Sequence, residues 1–112
     1  MQFRVINQHL DRTCVEGGER IYIGRPSPLG NPFVLKQHGT RDQVIAKFRD
    51  YLLAQLDAGN PKIVDELARI LRLGEQRPIE LACFCQPAAC HGDVIREVLL
   101  TRKDQILSAA SR

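Results

Sequence analysis

The stretch Leu81-Ala-Cys-Phe-Cys-Gln-Pro-Ala-Ala-Cys-His-Gly-Asp93 holds three of the four cysteines of the chain and one of its three histidines. The segment Pro78–Phe84, which overlaps its start, is apolar except for one glutamate and predicts a central strand buried on both faces. After it, apolar residues at helical spacing predict a helix from about His91 or Asp93 to Leu107. The cysteines therefore lie at a strand-to-helix turn, where α/β proteins often place functional residues.

Length, composition and charge limit the classes of protein to which the chain can belong. Its 112 residues suffice for one α/β domain over residues 1–112, with a frayed tail from Ser108. It has no apolar run of the roughly 20 residues that a membrane span requires, and Met1–Leu10 lacks the features of a secretory signal. Because clustered cysteines without such a signal indicate a reducing compartment, we expect a cytoplasmic protein that does not enter a membrane.

Two strands are predicted near the amino terminus, one by alternation around Val5 and one over Glu19–Gly24. Two glycines before the second strand allow a tight connection that would make these strands neighbours, and the strand order stays open. A capping-box pattern at Thr40 opens a predicted helix to about Ala58, and a second predicted helix ends at Gly74. The pattern predicts an α/β fold, with a small, mainly parallel or mixed sheet flanked by helices.

The segment Gly24–Phe33 predicts a stiff loop, because its three prolines and two glycines exclude a regular element. Arg25 and the backbone amides of such a loop suit a phosphate or carboxylate, although the spacing matches no standard phosphate-binding motif. Residues 1–50 carry eight Arg or Lys against five Asp or Glu, which is consistent with an anionic ligand nearby. A rigid connector and scattered solvated charge explain the same features without a ligand.

The loop, the Gly-Thr-Arg start of the first helix and the cysteine turn together resemble a family of small bacterial and phage proteins, domain-of-unknown-function family 4326. The resemblance covers nearly the whole chain, and Phe84 agrees with the large aromatic residue usual between the first two cysteines. Cys14 is not part of the pattern. The resemblance implies that one functional surface combines the cysteine turn with four residues of the loop: Arg25, Ser27, Gly30 and Asn31.

The first interpretation of the cysteine turn is a structural zinc site, because zinc prefers sulfur and nitrogen ligands. Its ligands would be Cys83, Cys85, Cys90 and His91. The spacing is a difficulty, since the adjacent side chains of Cys90 and His91 diverge unless the turn bends sharply.

The second interpretation is an activated thiol at Cys90, because a helix N-terminus stabilises a thiolate, with His91 or His38 as base or as acid for the leaving group. Backbone amides of His91 and Gly92, with Asp93 beside them, then form an anion site.

The third interpretation is packing alone, with buried cysteines and a capping histidine. A disulfide between Cys83 and Cys85 is disfavoured, because their sulfur atoms lie too far apart on an extended strand. A redox pair of Cys85 with Cys90 across the turn stays open.

Two functions from different classes follow. The first is a small domain that binds a nucleotide-like or phosphorylated anion through Arg25, with a hydrolase or transferase step at Cys90 left open. The second is a zinc-stabilised module, of a kind that phages encode, which binds a protein partner and catalyses nothing. Low aromatic content disfavours direct nucleic-acid binding. The sequence does not decide whether Cys14, His9 or His38 joins the site.

Overall fold

The computed structural model of the protein describes residues 1–8, 14, 16–84 and 90–111 and centres on a three-stranded parallel sheet. The strands are β1 (Phe3–Asn7), β2 (Glu19–Tyr22) and β3 (Ile79–Cys83), and the helices are α1 (Arg41–Asp57), α2 (Pro61–Gly74), α3 (His91–Thr101) and α4 (Lys103–Ala110). This arrangement confirms the predicted small α/β fold.

The order of the strands in the sheet is β1-β3-β2, so β3 lies between the first two strands, which are not neighbours. Ile79 of β3 is in register with Phe3 on one side and with Glu19 on the other. The ladder continues beyond β2, where the Ile23 N–H donates to the Ala82 carbonyl over 2.9 Å. All five residues of β3 are buried, as predicted, and a strand of that character is most stable at the centre of a sheet.

The helices α1 and α2 begin and end close to the predicted residues. The Thr40 hydroxyl accepts from the Gln43 N–H over 3.3 Å, and the Gln43 side chain accepts from the Thr40 N–H over 2.8 Å, which completes the capping box. Asn60 caps α2, with Pro61 at its first position. The buried residues of α1 recur every four positions: Val44, Phe48, Leu52 and Leu56. Phe48, Leu52 and Leu56 pack into the same core as the sheet.

The predicted single C-terminal helix is divided at Arg102, whose φ of −120° and ψ of 24° are not helical. The change of direction allows α4 to contact both α2 and α3 and to bury Ile106 completely. Helix α4 continues past Ser108, where the sequence predicts a frayed tail, and ends at Ala110. Within the described residues, no helix is both long and apolar enough to cross a membrane.

Strand β3 carries a glutamate, Glu80, that is only 2% exposed. Arg20 of β2 donates to its Oε1 atom from Nε over 3.2 Å and from Nη2 over 3.0 Å. Nη2 of Arg4, on β1, lies 3.8 Å from the other carboxylate oxygen. The two neighbouring strands therefore supply the cations that make a buried carboxylate tolerable on the central strand.

Replacing Arg20 by alanine removes both of these hydrogen bonds and leaves the buried Glu80 carboxylate with the longer contact to Arg4. We expect the free energy of unfolding, measured by urea denaturation, to fall by about 2 kcal/mol, because a buried charge loses its main partner. The control is Arg49→Ala, which breaks an exposed ion pair with Glu97 and should cost less than about 1 kcal/mol. Equal losses in the two variants would contradict the importance of the buried pair.

Candidate functional site

A cleft of about 340 Å³ opens beyond the carboxyl ends of β2 and β3. Its described lining includes Arg25 and Asn31 from the loop after β2, together with Cys83, Cys90 and His91 from the two sides of the cysteine turn. The structure therefore brings together the two parts of the chain that the sequence predicts to share one functional surface. Crevices at the carboxyl ends of parallel strands are the usual ligand sites of open α/β sheets.

The loop after β2, which we call the proline-glycine loop, spans residues 24–33 and is folded into two consecutive turns. The Ser27 N–H donates to the Gly24 carbonyl over 2.8 Å, and the Gly30 N–H donates to the Ser27 carbonyl over 2.9 Å. A Cβ atom on Gly30 would lie 3.0 Å from the Arg25 backbone, so glycine allows the turns to close. Ser27 and Gly30 thus shape the loop that carries Arg25, and ligand contact by these two residues stays a prediction.

The start of α3 forms one wall of the cleft, and its geometry explains three residues of the predicted site. Cys90 is the N-cap residue, and the Asp93 carboxylate accepts from its N–H over 3.1 Å. A Cβ atom on Gly92 would lie 2.8 Å from Cγ1 of Val5 and 2.9 Å from Cδ1 of Ile23. Asp93 therefore secures the first turn, and Gly92 allows the helix to approach the sheet. Their contact with a ligand stays a prediction.

Two of the cysteines meet at the floor of the cleft. The sulfur atoms of Cys83 and Cys90 are 3.3 Å apart, and each residue is 2% exposed. A disulfide bond is about 2.05 Å long, so this distance is a contact between two thiols. The Cys83 sulfur also lies 3.7 Å from the Ile6 carbonyl oxygen, to which it donates. The structure thus pairs the last residue of β3 with the N-cap of α3.

The predicted zinc site has four ligands, of which Cys85 lies outside the described residues. His9, whose role the sequence leaves open, lies outside them as well. In the part of the chain that the structure describes, no group of three or more His, Cys, Asp or Glu side chains is arranged to hold a metal ion. The described part of the site brings Cys83 and Cys90 together, and a zinc site completed by Cys85 and His91 stays a prediction.

His91 is buried at the cleft, and its ring contacts Phe48 edge-on with the ring centroids 5.0 Å apart. Nε2 lies 2.7 Å from the Ile23 carbonyl oxygen, which can only accept, so Nε2 carries the proton and Nδ1 keeps a lone pair in the neutral ring. Burial lowers the pKa of His91, and the charge of Arg25 lowers it further. The hydrogen bond to Ile23 and the charge of Asp93 oppose the shift. His91 is therefore neutral near pH 7.

A lowered pKa of His91 makes the stability of the protein depend on pH. Below about 6.5, the ordinary pKa, the unfolded chain takes up a proton that the folded protein resists, so the folded state loses stability as the pH falls. His91→Gln keeps a neutral N–H donor for Ile23 and should weaken this dependence. Urea denaturation at several pH values between about 5 and 8 measures the slope. An identical slope in wild type and variant would contradict the assignment.

Among the lining residues that the sequence does not mark as part of the site, four are aromatic or cationic: Tyr22, Phe33, Arg41 and Phe84. Arg41 is the first residue of α1, where a positive charge opposes the helix dipole. A cation at this unfavourable position is the feature of the sequence that could have indicated a functional role for Arg41. Tyr22 and Phe84 follow buried strand residues, yet they are 38% and 50% exposed, with ring centroids 5.8 Å apart. The two rings thus place an exposed aromatic patch in the lining of the cleft.

His38 and Cys14 stand apart from the described lining of the cleft. Nδ1 of His38 accepts from the Val34 N–H over 2.7 Å, and its carbonyl accepts from Nζ of Lys47 over 2.6 Å. His38 therefore stabilises the segment that leads into α1. Cys14 is half-buried.

A comparison with known protein families identifies the family that the motifs of the loop and the cysteine turn resemble. Residues 6–101 match the family model described as a domain of unknown function, DUF4326. Since this match covers most of the chain, the protein belongs to that family. No curated protein and no solved structure matches the chain. Because the family is described only as a domain of unknown function, membership does not provide a function for the chain. A function has to be argued from the chemistry of the site.

Proposed function

We propose that the cleft binds a small anionic ligand that carries a planar ring, with a mononucleotide as the best fit. The observation that carries the proposal is the combination of two arginines, Arg25 and Arg41, with exposed aromatic rings in one cleft at the carboxyl edge of the sheet. Arginine recognises phosphate through paired hydrogen bonds, and aromatic rings stack on flat ring systems.

The charge of the cleft supports an anion. Among its described lining residues there is no aspartate or glutamate, while Arg25 and Arg41 approach from two different elements. The first turns of α1 and α3 also face the cleft, through Arg41 and Val44 on one side and through Cys90 and His91 on the other. Helix N-termini add partial positive charge, so the arginines and the backbone favour the same sign of ligand.

The size and the apolar surface of the cleft support a single small molecule. A volume of about 340 Å³ lies at the lower end of the roughly 300–1,000 Å³ typical of small-molecule sites. The rings of Tyr22, Phe33 and Phe84, with Leu35 beside them, provide surface for a flat apolar group. A mononucleotide combines such a group with a phosphate, whereas a polymer would require an extended groove.

A hydrolase or transferase step at Cys90 is the finer part of the proposal. Cys90 lines the cleft next to His91, whose Nδ1 atom is the nitrogen able to accept a proton in the neutral ring. In such a step the Cys90 thiol gives up its proton and its sulfur attacks the phosphorus atom of the ligand while the bond from phosphorus to the leaving oxygen breaks. Water or a second substrate then takes the phosphoryl group from the sulfur, which restores the thiol. The expectation for this part is that Cys90→Ala keeps ligand affinity and loses turnover.

The binding proposal is tested by titrating AMP, GMP, CMP and UMP into the protein in a calorimeter. Because a hydrogen bond to a charged group contributes about 1.5–3 kcal/mol, Arg25→Ala and Arg41→Ala should each weaken binding about tenfold or more. Arg72→Ala, an exposed residue of α2 outside the cleft, is the matched control and should bind like the wild type. Unchanged affinity in the double variant Arg25→Ala/Arg41→Ala would refute the proposal.

The competing proposal for the same sulfur atoms is a zinc-stabilised module that binds a protein partner. One observation favours it, the convergence of Cys83 and Cys90, which are two of the four predicted ligands. His91 can join such a site only through Nδ1, because Nε2 donates to Ile23. Protein purified without chelator and free of zinc would rule this proposal out.

A further inference from the structure

The thiols of Cys83 and Cys90 are arranged as an oxidation site. Their sulfur atoms are 3.3 Å apart, so a disulfide of about 2.05 Å requires them to approach by only roughly 1.2 Å. Both residues are buried from bulk solvent but line the cleft, through which a molecule as small as a peroxide can reach them. We propose that Cys83 and Cys90 form a reversible intrachain disulfide when a hydroperoxide enters the cleft.

The chemistry balances with hydrogen peroxide as the oxidant. One sulfur attacks a peroxide oxygen, the O–O bond breaks, and a sulfenic acid and one water form. The second sulfur then attacks the sulfenic sulfur, the S–O bond breaks, and a second water leaves with the remaining thiol proton. Two thiols and one peroxide thus give one disulfide and two waters, and a dithiol reductant reverses the reaction by exchange.

The position of the pair determines what the new bond would connect. Cys83 ends the central strand, and in the reduced protein its thiol donates to the Ile6 carbonyl of β1. Cys90 is the N-cap of α3. Oxidation therefore exchanges a weak hydrogen bond between two strands for a covalent link between β3 and α3 at the floor of the cleft. This inference is independent of the ligand proposed for the cleft.

The sequence alone disfavours Cys83 with Cys85 and leaves open a different pairing, Cys85 with Cys90. The proposal of Cys83 with Cys90 rests on the contact between their sulfur atoms in the folded protein. The pairing can therefore be tested by finding which cysteines are joined after oxidation. Chymotrypsin cleaves after Phe84 and so separates Cys83 from Cys85 and Cys90. A Cys83–Cys90 bond keeps the two fragments joined after cleavage. The Cys85 thiol stays reduced and can be alkylated.

The experiment oxidises the folded wild-type chain with hydrogen peroxide, alkylates the remaining thiols with iodoacetamide, digests with chymotrypsin and maps the fragments by mass spectrometry. We expect Cys83 and Cys90 to be joined, with the alkyl label on Cys14 and Cys85, and expect dithiothreitol to release both thiols. The same treatment in guanidinium chloride should spread the pairing over all three cysteines of the turn. A label on Cys83 or Cys90 in the folded, oxidised chain would overturn the proposal.

Variants provide an independent control on the pairing. Cys85→Ala should keep the peroxide-dependent link, whereas Cys83→Ala and Cys90→Ala should each abolish it. If either buried alanine variant fails to fold, the wild-type fragment map still decides. Retention of bound zinc, with the cysteines of the turn protected from peroxide and from iodoacetamide, would also contradict the proposal.

Discussion

The central position of β3 is the constraint on which the rest of the structure depends. Its five residues are buried, and it pairs in parallel with both other strands. Because all strands run in one direction, the segments that leave β2 and β3 emerge at the same edge of the sheet. The proline-glycine loop and the cysteine turn meet there for that reason, although about fifty residues separate them along the chain. The buried Glu80 is consistent with this order, since only a central strand has an arginine-bearing neighbour on each side.

The cleft combines three kinds of chemistry in a small space. Arg25 and Arg41 bring positive charge, exposed aromatic rings bring a flat apolar surface, and Cys90 with a neutral His91 brings groups that can transfer electrons or protons. Burial keeps the imidazole uncharged, so it does not add to the repulsion between the arginines. The proposed ligand, anionic at one end and planar at the other, matches the first two features.

The local patterns of the sequence were sufficient for most of the elements. The capping box at Thr40, the Asn-Pro start of α2 and the apolar run of β3 each depend on residues close together in the chain, and each was confirmed. The strand order was not accessible in this way, because pairing is decided by contacts between distant segments. The same reason explains why the contact between the Cys83 and Cys90 thiols emerged only from the fold. The division of the last helix at Arg102 reflects its packing on α2, which helical spacing does not report.

The most direct measurement is a titration of ¹⁵N-labelled protein with AMP, followed by amide chemical shifts. We expect the largest changes at five residues that come from separate segments and meet around the cleft: Arg25, Asn31, Arg41, Cys90 and His91. Inorganic phosphate alone should move the amides near the arginines, with smaller changes around Tyr22 and Phe84. Shifts spread over surface lysines and arginines, or no shifts at all with any of the four mononucleotides, would contradict a ligand site at the carboxyl edge of this sheet.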